Sequence, residues 1–512
     1  MTETVRPRAL REALPHVGVG VLGAAVGLGV AELIAGIIPT GRSPVVAVAD
    51  RVIYFGPGAW ERAAIRIFGT GDKVALIIIV LAVIAAVGAG AGMLAARHQS
   101  LSRAVVAASA LIGAWAGAVE RDASWVHALP PLVGGMATAW TMHLLLISRS
   151  ARTTPLSPAG ADRRRLLVGG SIAASVAAVT GVTGRLLQAR VDASASRRAV
   201  VLPEPVQPLP AVPAGADVDV AGASRYVTPN ETFYRIDTAL IVPQVEKEGW
   251  ELRFDGMVDD PRTYTYDELA ARDLIEADIT LTCVSNEVGG DLIGNARWLG
   301  VPLAELLEEV RPRAGADQIV GRAVDGFTTG FPLADALDGR HALLALGMNG
   351  EPLPLRHGFP ARLVVGGLYG YVSATKWLTQ IELTRFDDYD AYWIRRGWAK
   401  EGPIKVQSRI DTPRRRADAG TVPVAGVAWA QGRGIERVEL RVDDGRWREA
   451  RLAETTSVET WRLWRWDWEA RRGKHRLAVR ATAGDGEVQT EERMDIFPDG
   501  ATGWHTVEVK VT

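Results

Sequence analysis

The chain is poor in two features that define whole classes of protein: it has one cysteine among 512 residues and almost no net charge. A single cysteine excludes an intrachain disulfide framework and any all-cysteine zinc or iron–sulfur site. The formal net charge of −1, from 58 Lys and Arg against 59 Asp and Glu, argues against nucleic-acid binding, which needs a concentrated basic surface. The length predicts about three structural units.

Long uncharged runs are confined to the first 190 residues, although the hydrophobic fraction of the whole chain is 48%. A helix needs about 20 mainly apolar residues to cross a hydrocarbon core of about 30 Å. Five runs predict an α-helical membrane domain over residues 1–190: 17–38, 74–96, 104–119, 129–148 and 166–184. The alternative, buried helices of a soluble protein, is disfavoured because such long runs carry almost no charge.

The arginines and lysines that flank these runs predict an orientation. With a cytoplasmic N-terminus, ten of them lie inside and six outside, and cationic residues favour the cytoplasmic side. We therefore expect a multi-pass protein of the cell membrane, in contact with the lipid bilayer, whose chain after Gly184 is extracytoplasmic. Arg163, Arg164 and Arg165 before the last run resemble a twin-arginine export signal, or they orient the last helix, and the same residues can serve both purposes.

Ionisable side chains inside apolar runs are functional candidates. Glu32 and His143 could belong to a quinone or proton site, or they could lie at packed interfaces or near helix ends. His16 and His143 could also supply the axial pair that a b-type haem requires, although their spacing is not diagnostic.

Three further segments follow the membrane domain. Residues 191–224 contain five prolines and predict a semi-rigid linker that holds the soluble part away from the bilayer. Residues 225–404 mix strands and helices without regular alternation, which predicts an α+β domain. Residues 405–512 predict an all-β immunoglobulin-like sandwich from short alternating strands. We expect the row Trp464, Trp466 and Trp468 to pack in a core or interface rather than to bind a ligand.

Cys283 ends a predicted strand and begins the glycine-rich loop 283–290. A lone cysteine is usually a small buried hydrophobe. A thiol at a strand end can instead give one thiolate to a metal whose other ligands come from a cofactor. His341 and His357 are too few and too far apart in sequence to form a protein-only metal site.

Glycine-rich segments around Arg362 and Lys376 form a second candidate. Arginine makes bidentate contacts to phosphate, and glycine allows the backbone to approach an anion closely. Taken alone, these segments could equally be a turn-rich loop region.

Together these segments resemble the sulfite oxidase family of molybdopterin enzymes. The ordered matches are residues 228–237 (TPNETFYRID), 283–286 (CVSN), 294–298 (GNARW), 348–354 (MNGEPLP), 357–362 (HGFPAR) and 376–377 (KW). Residues 405–512 look like that family's dimerisation domain, which implies a homodimer. The resemblance covers about residues 225–512 and does not extend to the membrane domain.

The resemblance implies a molybdenum–molybdopterin oxidoreductase that transfers an oxygen atom to or from its substrate. Cys283 matches the cysteine whose thiolate binds molybdenum, and Cys283 and Arg297 are the catalytic candidates. The residues that match cofactor-binding positions are Asn230, Phe233, Tyr234, Arg235, Asp325, His357, Arg362, Ser373, Ala374, Thr375 and Lys376. Asp325 is a looser match, because the loop before Phe331 differs in length.

The chain departs from the family beside the cysteine. Sulfite oxidases place arginines there, whereas this chain has Asn286, Glu287 and Val288. The carboxylate of Glu287 would disfavour a sulfite dianion unless it pairs with a cation such as Arg297. Gly366 also replaces a proline of the family.

The substrate and its partners therefore stay open at the level of sequence. We expect a small-molecule or protein-bound acceptor or donor of oxygen, and an external or membrane electron carrier such as a quinone or a cytochrome. A second branch of the family reduces methionine sulfoxide in exported proteins. The alternatives are a sulfite-type oxidase of sulfur compounds with the same fold, and a non-catalytic membrane protein with a degenerate site.

Overall fold

The structure, a computed structural model, describes residues 6–38, 41–56, 60, 67–68, 71–119, 125–150, 159–188 and 192–512. The chain divides into two compact units, Met1–Asp192 and Ala193–Thr512.

The described part of the first unit is helical. Its helices are α1 (Arg6–Ile37), α2 (Pro44–Phe55), α3 (Asp72–Ala95), α4 (Gln99–Ala118), α5 (Leu129–Ser150) and α6 (Ala159–Gln188), with a 3-10 turn at Trp125–Ala128. Five segments are long and apolar enough to cross a membrane by length and composition: Leu14–Ile37, Lys73–Ala95, Gln99–Ala118, Trp125–Ile147 and Leu167–Gln188. They coincide with the five predicted runs, and the shortest run extends to a helix of 20 residues. Helix α2, which was not predicted, has only 12 residues. The side chains of residues 163–165 lie outside the described part, so the predicted export signal is not tested there.

Small residues let the helices of this unit approach closely. Gly20 of α1 lies against the backbone of Gly88 in α3, and Gly27 lies against Gly134 in α5. A side chain at any of these positions would overlap the facing helix, which is the packing typical of helices in lipid. Large apolar side chains such as Ile78, which is 59% exposed, point outward. This outward apolar surface suits hydrocarbon better than water.

The second unit begins with two five-stranded sheets. Their strands are β1 (Glu251–Gly256), β2 (Arg262–Thr265), β3 (Ile275–Thr282), β4 (Ile293–Pro302), β5 (Gln318–Ala323), β6 (Thr328–Pro332), β7 (Ala342–Met348), β8 (Glu351–Pro352), β9 (Arg362–Val365) and β10 (Leu378–Thr384). One sheet has the order β2-β1-β10-β5-β6, and the other has the order β3-β4-β7-β8 with β9 also paired to β7. The helices are α7 (Ser194–Ala199), α8 (Tyr266–Ala270), α9 (Leu303–Val310) and α10 (Gly370–Ser373). Short 3-10 turns lie at Ala214–Ala216, Leu333–Ala336, Leu355–His357 and Ile394–Arg396. The first sheet is mixed, because β1 pairs with β10 in parallel, and the second is antiparallel throughout. Such sheets with few helices agree with the predicted α+β character.

The remaining strands form two further sheets that share one core. They are β11 (Gln407–Thr412), β12 (Arg416–Ala417), β13 (Gly420–Trp429), β14 (Ile435–Val442), β15 (Arg448–Glu449), β16 (Arg451–Leu452), β17 (Arg462–Ala470), β18 (Gly473–Ala483) and β19 (His505–Val511). The sheet orders are β11-β13-β17-β16 and β12-β19-β18-β14-β15. Trp464 and Trp468 are buried in the shared core, and Trp466 packs against it half-buried. The tryptophan row therefore fills a core, as expected.

The proline-rich segment differs from its prediction. Its described residues lie along the second unit, where the backbone N–H of Val206 donates to the carbonyl of Leu274 and that of Leu209 donates to the Glu276 carboxylate, at 2.9 Å each. Proline removes backbone donors and favours extended chain, but it leaves carbonyls free to accept bonds from a neighbouring surface. The segment is thus a strap docked along the second unit rather than a linker free of contacts, and its predicted role of holding the soluble part away from the bilayer stays a prediction.

The β3–β4 hairpin places residues of opposite parity on opposite faces, because side chains alternate along a strand. Ile279 pairs with Ala296, and both point toward a core that also contains Phe233 and Trp298. Asp278 pairs with Arg297 on the other face. Cys283 directly follows β3, four residues after Ile279, and so continues the face of the strand to which Ile279 belongs.

Candidate functional site

Cys283 is held at the start of a tight turn. Its N–H donates to the carbonyl of Leu292 and its own carbonyl accepts from Asn286, both at 3.0 Å. The residue is 8% exposed. Burial raises the pKa of the thiol, whereas bonds from Ser285 and the charge of Lys376 act in the opposite direction. A thiolate at this position therefore needs a strong positive partner, such as a metal ion.

The strip that contains Asn230, Phe233 and Tyr234 lies against the face of the hairpin that leads to Cys283. The Phe233 ring packs edge-on against Trp298 at 5.9 Å and against His357 at 5.6 Å between centroids. The ring nitrogen Nε2 of His357 donates to the carbonyl of Asn230 at 2.9 Å. Burial lowers the pKa of His357 to about 3, so the ring is neutral and its other nitrogen is an acceptor.

Tyr234 and Arg235, two residues of this strip, each interact with a charged group of the candidate site. Burial raises the pKa of Tyr234, the charge of Cys283 raises it further, and Arg362 opposes the rise. A Cβ at Gly370 would lie 3.9 Å from the Tyr234 hydroxyl. Arg235 pairs with Asp237 at 3.0 Å.

Arg362 is a buried guanidinium, 4% exposed, at the start of β9. It donates to the carbonyls of His357 at 3.1 Å and Leu363 at 3.4 Å, and its central carbon lies 5.0 Å from the Trp298 ring centroid. Burial lowers its pKa to about 10. No carboxylate in the described part of the chain is close enough to form an ion pair with it. A buried cation of this kind calls for an anionic partner.

Lys376 is the second cation of the site, and its side chain is 11% exposed. Its Nζ donates to Asp237 at 3.0 Å and to the carbonyl of Ile236 at 3.1 Å. Burial lowers its pKa to about 8, and Arg362 and Arg235 act in the same direction, whereas Asp237 opposes them. One carboxylate thus serves two cations, and the cluster keeps an excess of positive charge.

The turn 373–376 connects α10 to Lys376. Ser373 donates to the carbonyl of Tyr369 at 3.1 Å, the Ala374 N–H donates to the carbonyl of Gly370, and Thr375 bonds the Thr329 hydroxyl at 2.7 Å. Ser373 and Thr375 are fully buried. These bonds fix the backbone of the segment.

Gly358 lets the His357 and Lys376 segments meet. Its φ is +112°, and a Cβ there would lie 3.0 Å from the Cβ of Lys376 and 3.2 Å from that of Arg362. Only glycine adopts this backbone conformation without strain.

Asp325 lies in the turn between β5 and β6. Its carboxylate accepts from the Phe327 N–H at 3.1 Å, and the neighbouring Val324 N–H donates to the carbonyl of Trp377. The turn is therefore tied to the segment that carries Lys376.

Arg297 is not part of this cluster, and the interpretation of Arg297 as a catalytic cation is corrected. Its guanidinium is bound by Asp278 at 2.8 and 3.0 Å and donates to the carbonyls of Leu209 and Pro210 in the strap. The physical reason is strand alternation. Arg297 and Trp298 are neighbours in β4, so they point to opposite faces, and Trp298 lies on the Cys283 face. It is therefore already paired and does not neutralise Glu287.

Sequence reasoning did not single out three residues that belong to the cluster: Trp298, Asp237 and Tyr369. The first two lie within the quoted motifs, but nothing in their spacing distinguishes a residue that stacks on or pairs with a buried cation. Burial raises the pKa of Tyr369, and the charge of Cys283 adds to that rise.

The last two sheets also reach the cysteine loop. Gln431 donates to the carbonyl of Thr280 at 3.1 Å and to the hydroxyl of Thr282 at 3.0 Å. The His505 ring packs against Gly289 in the cysteine loop. Its Nδ1 accepts from the Ile410 N–H at 3.0 Å, and burial lowers its pKa to about 4. The loop is thus supported from both parts of the second unit.

The site has the composition expected for an anionic metal cofactor: one buried soft ligand, the buried Arg362 without an acidic partner, and the largely buried Lys376. Among the residues that the structure describes, no group of three or more His, Cys, Asp or Glu side chains could hold a metal by itself. The thiol would therefore be one ligand among others supplied by the cofactor.

Comparisons with known proteins agree with this composition. Residues 239–393 match the family described as "Oxidoreductase molybdopterin binding domain". The chain is 30% identical to "Sulfite oxidase, mitochondrial" of Drosophila melanogaster over 347 residues, covering 56% of this chain and 60% of that protein. It is 34% identical to "Uncharacterized oxidoreductase YuiH" of Bacillus subtilis (strain 168), covering 35% of this chain and 89% of that protein.

A solved structure shows the same fold. "Crystal Structure of the Sulfane Dehydrogenase SoxCD from Paracoccus pantotrophus" superposes with a TM-score of 0.50 at 23% identity, covering 56% of this chain and 82% of that one. The chain spans about 60% of the length of the curated sulfite oxidases it matches, 60% and 62% for the Drosophila and human proteins.

The fold and the family match define a molybdopterin-binding oxidoreductase domain, and the curated relatives imply a molybdenum–molybdopterin cofactor. The chain belongs to the family of molybdopterin oxidoreductases of the sulfite oxidase type.

Proposed function

We propose that the protein is a membrane-anchored, exported molybdenum–molybdopterin oxidoreductase that transfers an oxygen atom to or from its substrate. The observation that carries this proposal is the buried thiol of Cys283 in the same part of the fold as the buried Arg362 and the largely buried Lys376. The bound cofactor would supply the oxygen-atom and two-electron chemistry. The catalytic candidate of this chain is Cys283, as the metal ligand.

The surrounding residues would hold the cofactor and exclude water. Arg362 and Lys376 would neutralise its negative charge, and charge interactions are strong in a buried site of low dielectric. Neutral His357, oriented by the Asn230 carbonyl, would present a hydrogen-bond acceptor, its Nδ1 atom. The fixed backbone of 373–376 would present N–H groups to an anionic group.

Metal and pterin content of the detergent-purified full chain tests this proposal. We expect about one molybdenum and one pterin per chain, and an altered metal spectrum in Cys283→Ala. The matched control is Val284→Ala, which shortens the neighbouring buried side chain and leaves the thiol. Wild-type protein without molybdenum and pterin, made in a host able to synthesise the cofactor, would contradict the proposal and favour a non-catalytic membrane protein.

A sulfite-type oxidase is the second candidate, because several relatives carry the name sulfite oxidase. The exposed carboxylate of Glu287 argues against a sulfite-type oxidase. Arg297 does not neutralise this carboxylate, because Arg297 is bound to Asp278. A carboxylate repels a sulfite dianion near the metal. Rapid reduction of the bound metal by sulfite would favour a sulfite-type oxidase. If sulfite does not reduce the metal, but another oxygen donor or acceptor reduces or oxidises it, the first candidate function is favoured.

The membrane and export parts of the proposal rest on the five apolar helices and on the distribution of positive charge. The chain's single cysteine allows a clean topology test in a Cys283→Ala background. We expect a membrane-impermeant thiol reagent to label Arg446→Cys in intact cells and to label His98→Cys only after lysis. The opposite pattern would contradict the proposed orientation. Both positions are exposed.

Electron exchange with a quinone or a cytochrome, and a homodimer formed through residues 405–512, complete the proposal. The dimer is supported by the resemblance of these residues to the family's dimerisation domain. Light scattering of the solubilised protein would contradict it by giving the mass of a monomer.

A further inference from the structure

A groove between α1 and α6 is a second candidate site, within the first unit. Its lining includes Leu28, Gly29, Glu32, Val182, Arg185 and Leu186, and its volume is about 360 Å³. Small-molecule sites in proteins are mostly apolar clefts of about 300–1,000 Å³ with a few placed polar groups. This groove has that composition: apolar walls with one carboxylate and one guanidinium.

The carboxylate of Glu32 is held in place by the helices. The residue is 3% exposed. Ser43 donates to its Oε1 at 2.5 Å, and the amide of Gln188 donates to its Oε2 at 3.0 Å and to its backbone carbonyl at 3.1 Å. Gly184 allows the two helices to touch at this point, because a Cβ there would overlap the backbone of Glu32. Ionisable groups between apolar helices are costly and mark functional positions.

Arg185 lies in the last turn of α6, with its Nε 3.8 Å from the Glu32 Oε2. Its side chain is 58% exposed, whereas that of Glu32 is 4% exposed. The guanidinium therefore keeps donors for a ligand at the mouth of the groove, while the pair as a whole is neutral. A neutral pair favours a neutral polar headgroup over the phosphate of an anionic phospholipid.

We propose that this groove binds the headgroup of a lipid-soluble quinone or quinol. A quinone carbonyl accepts hydrogen bonds from Arg185, a quinol hydroxyl donates to Glu32, and the prenyl tail leaves along Leu28, Val182 and Leu186. The proposal rests on the proposed function for the role of the ligand: a quinone that takes up two electrons and two protons becomes a quinol, and oxygen-atom transfer at the molybdenum exchanges two electrons.

Photolabelling of the full chain in phosphatidylcholine vesicles with an azido-quinone tests the proposal. We expect labelled peptides that contain residues 28–32 or 181–186, with labelling reduced by excess short-chain quinone. The Val182→Trp variant fills the groove and should reduce labelling about tenfold. The matched control is Val168→Trp, because Val168 lies on the same helix, is 51% exposed and does not line the groove. Labelling elsewhere, or equal labelling of both variants, would overturn the proposal.

The neutral pair gives a second, independent test. Adding anionic phosphatidylglycerol should leave wild-type labelling unchanged. Glu32→Gln leaves Arg185 without its counter-charge, so phosphatidylglycerol should compete in that variant. Competition in wild type would assign the groove to a phospholipid and overturn the proposal. Labelling needs no turnover, so its failure in protein with a full molybdenum content leaves the oxidoreductase proposal intact.

Discussion

Each face of the β3–β4 hairpin is associated with one arginine, Arg297 of β4 on one face and Arg362 of β9 on the other, and the two arginines have opposite surroundings. Arg297 is bound by Asp278 and by strap carbonyls. Arg362 packs on Trp298, on the Cys283 side, and has two carbonyl partners. Removing one partner of a buried ion pair is strongly destabilising, whereas a buried cation without an acidic partner costs free energy and favours an anionic ligand.

The face with Arg297 connects parts of the second unit. Thr280 accepts from the Trp461 N–H at 2.8 Å and its own N–H donates to the Glu459 carbonyl at 3.1 Å. Asn295 donates to the carbonyl of Tyr226 at 3.0 Å. This face is therefore structural, and the other face carries the candidate site. Four predictions test that division, beginning with the largest expected effect.

Arg362→Met should weaken retention of the cofactor about 100-fold or more, because it removes a buried charge opposite an anionic ligand. The stability of the cofactor-free form should not fall, since methionine costs less to bury than an unpaired guanidinium. Pterin and molybdenum content after dialysis, with melting temperatures of the cofactor-free proteins, measure both effects. Full retention of the cofactor would show that Arg362 is not its anion partner.

Arg297→Met should destabilise the protein by about 3 kcal/mol, because it leaves the buried Asp278 carboxylate without a partner. Turnover per bound molybdenum should be unchanged. Adding Asp278→Asn should restore part of the stability. Melting temperature and activity per molybdenum give the two readouts, and a selective loss of activity would return Arg297 to the catalytic candidates.

Gly289→Ala should cost about 2–4 kcal/mol, because alanine is strained at positive φ and its methyl group would overlap the His505 ring. The φ of Gly289 is +83°. Gly486→Ala is the matched control: φ there is +89°, with no atom within 4 Å of a Cβ. We expect about 1 kcal/mol for the control. Equal losses would mean that His505 does not constrain the cysteine loop.

Removing the ion pair of His341 with Glu459 should change the stability of the protein least, and this change should depend most on pH. Nδ1 of His341 lies 2.8 Å from the carboxylate, and this bond raises the pKa of His341 above its ordinary 6.5. The stabilisation is therefore complete below pH 6.5 and is lost as pH rises through the raised folded value.

His341→Gln should accordingly lower the free energy of unfolding by about 0.5–1 kcal/mol at low pH. This loss is smaller than for a fully buried ion pair, because the His341 side chain is 44% exposed. The difference in melting temperature between wild type and variant should disappear in alkaline solution. A difference that grows with pH would contradict the assignment.

Much of the fold could be predicted from pattern alone. The apolar runs predicted five helices because the length needed to cross hydrocarbon is set by the helix rise, whatever the contacts. Alternation in residues 405–512 predicted strands whose inward tryptophans, Trp464 and Trp468, fill the core. The docking of the strap was not predictable, because its partners, such as Leu274 and Glu276, follow it by more than 60 residues.

The sequence by itself determined which chemistry is present: one cysteine at a strand end, basic residues among glycines, and ordered motifs resembling the sulfite oxidase family. Only the tertiary structure decided which of those residues share a site. Arg297 and Trp298 are adjacent in the chain but lie on opposite faces of β4, so one binds the strap and the other covers Arg362. Because side chains alternate along a strand, two neighbouring residues must point to opposite faces of the sheet. Only the packing of the sheet decides which of the two faces carries the candidate site.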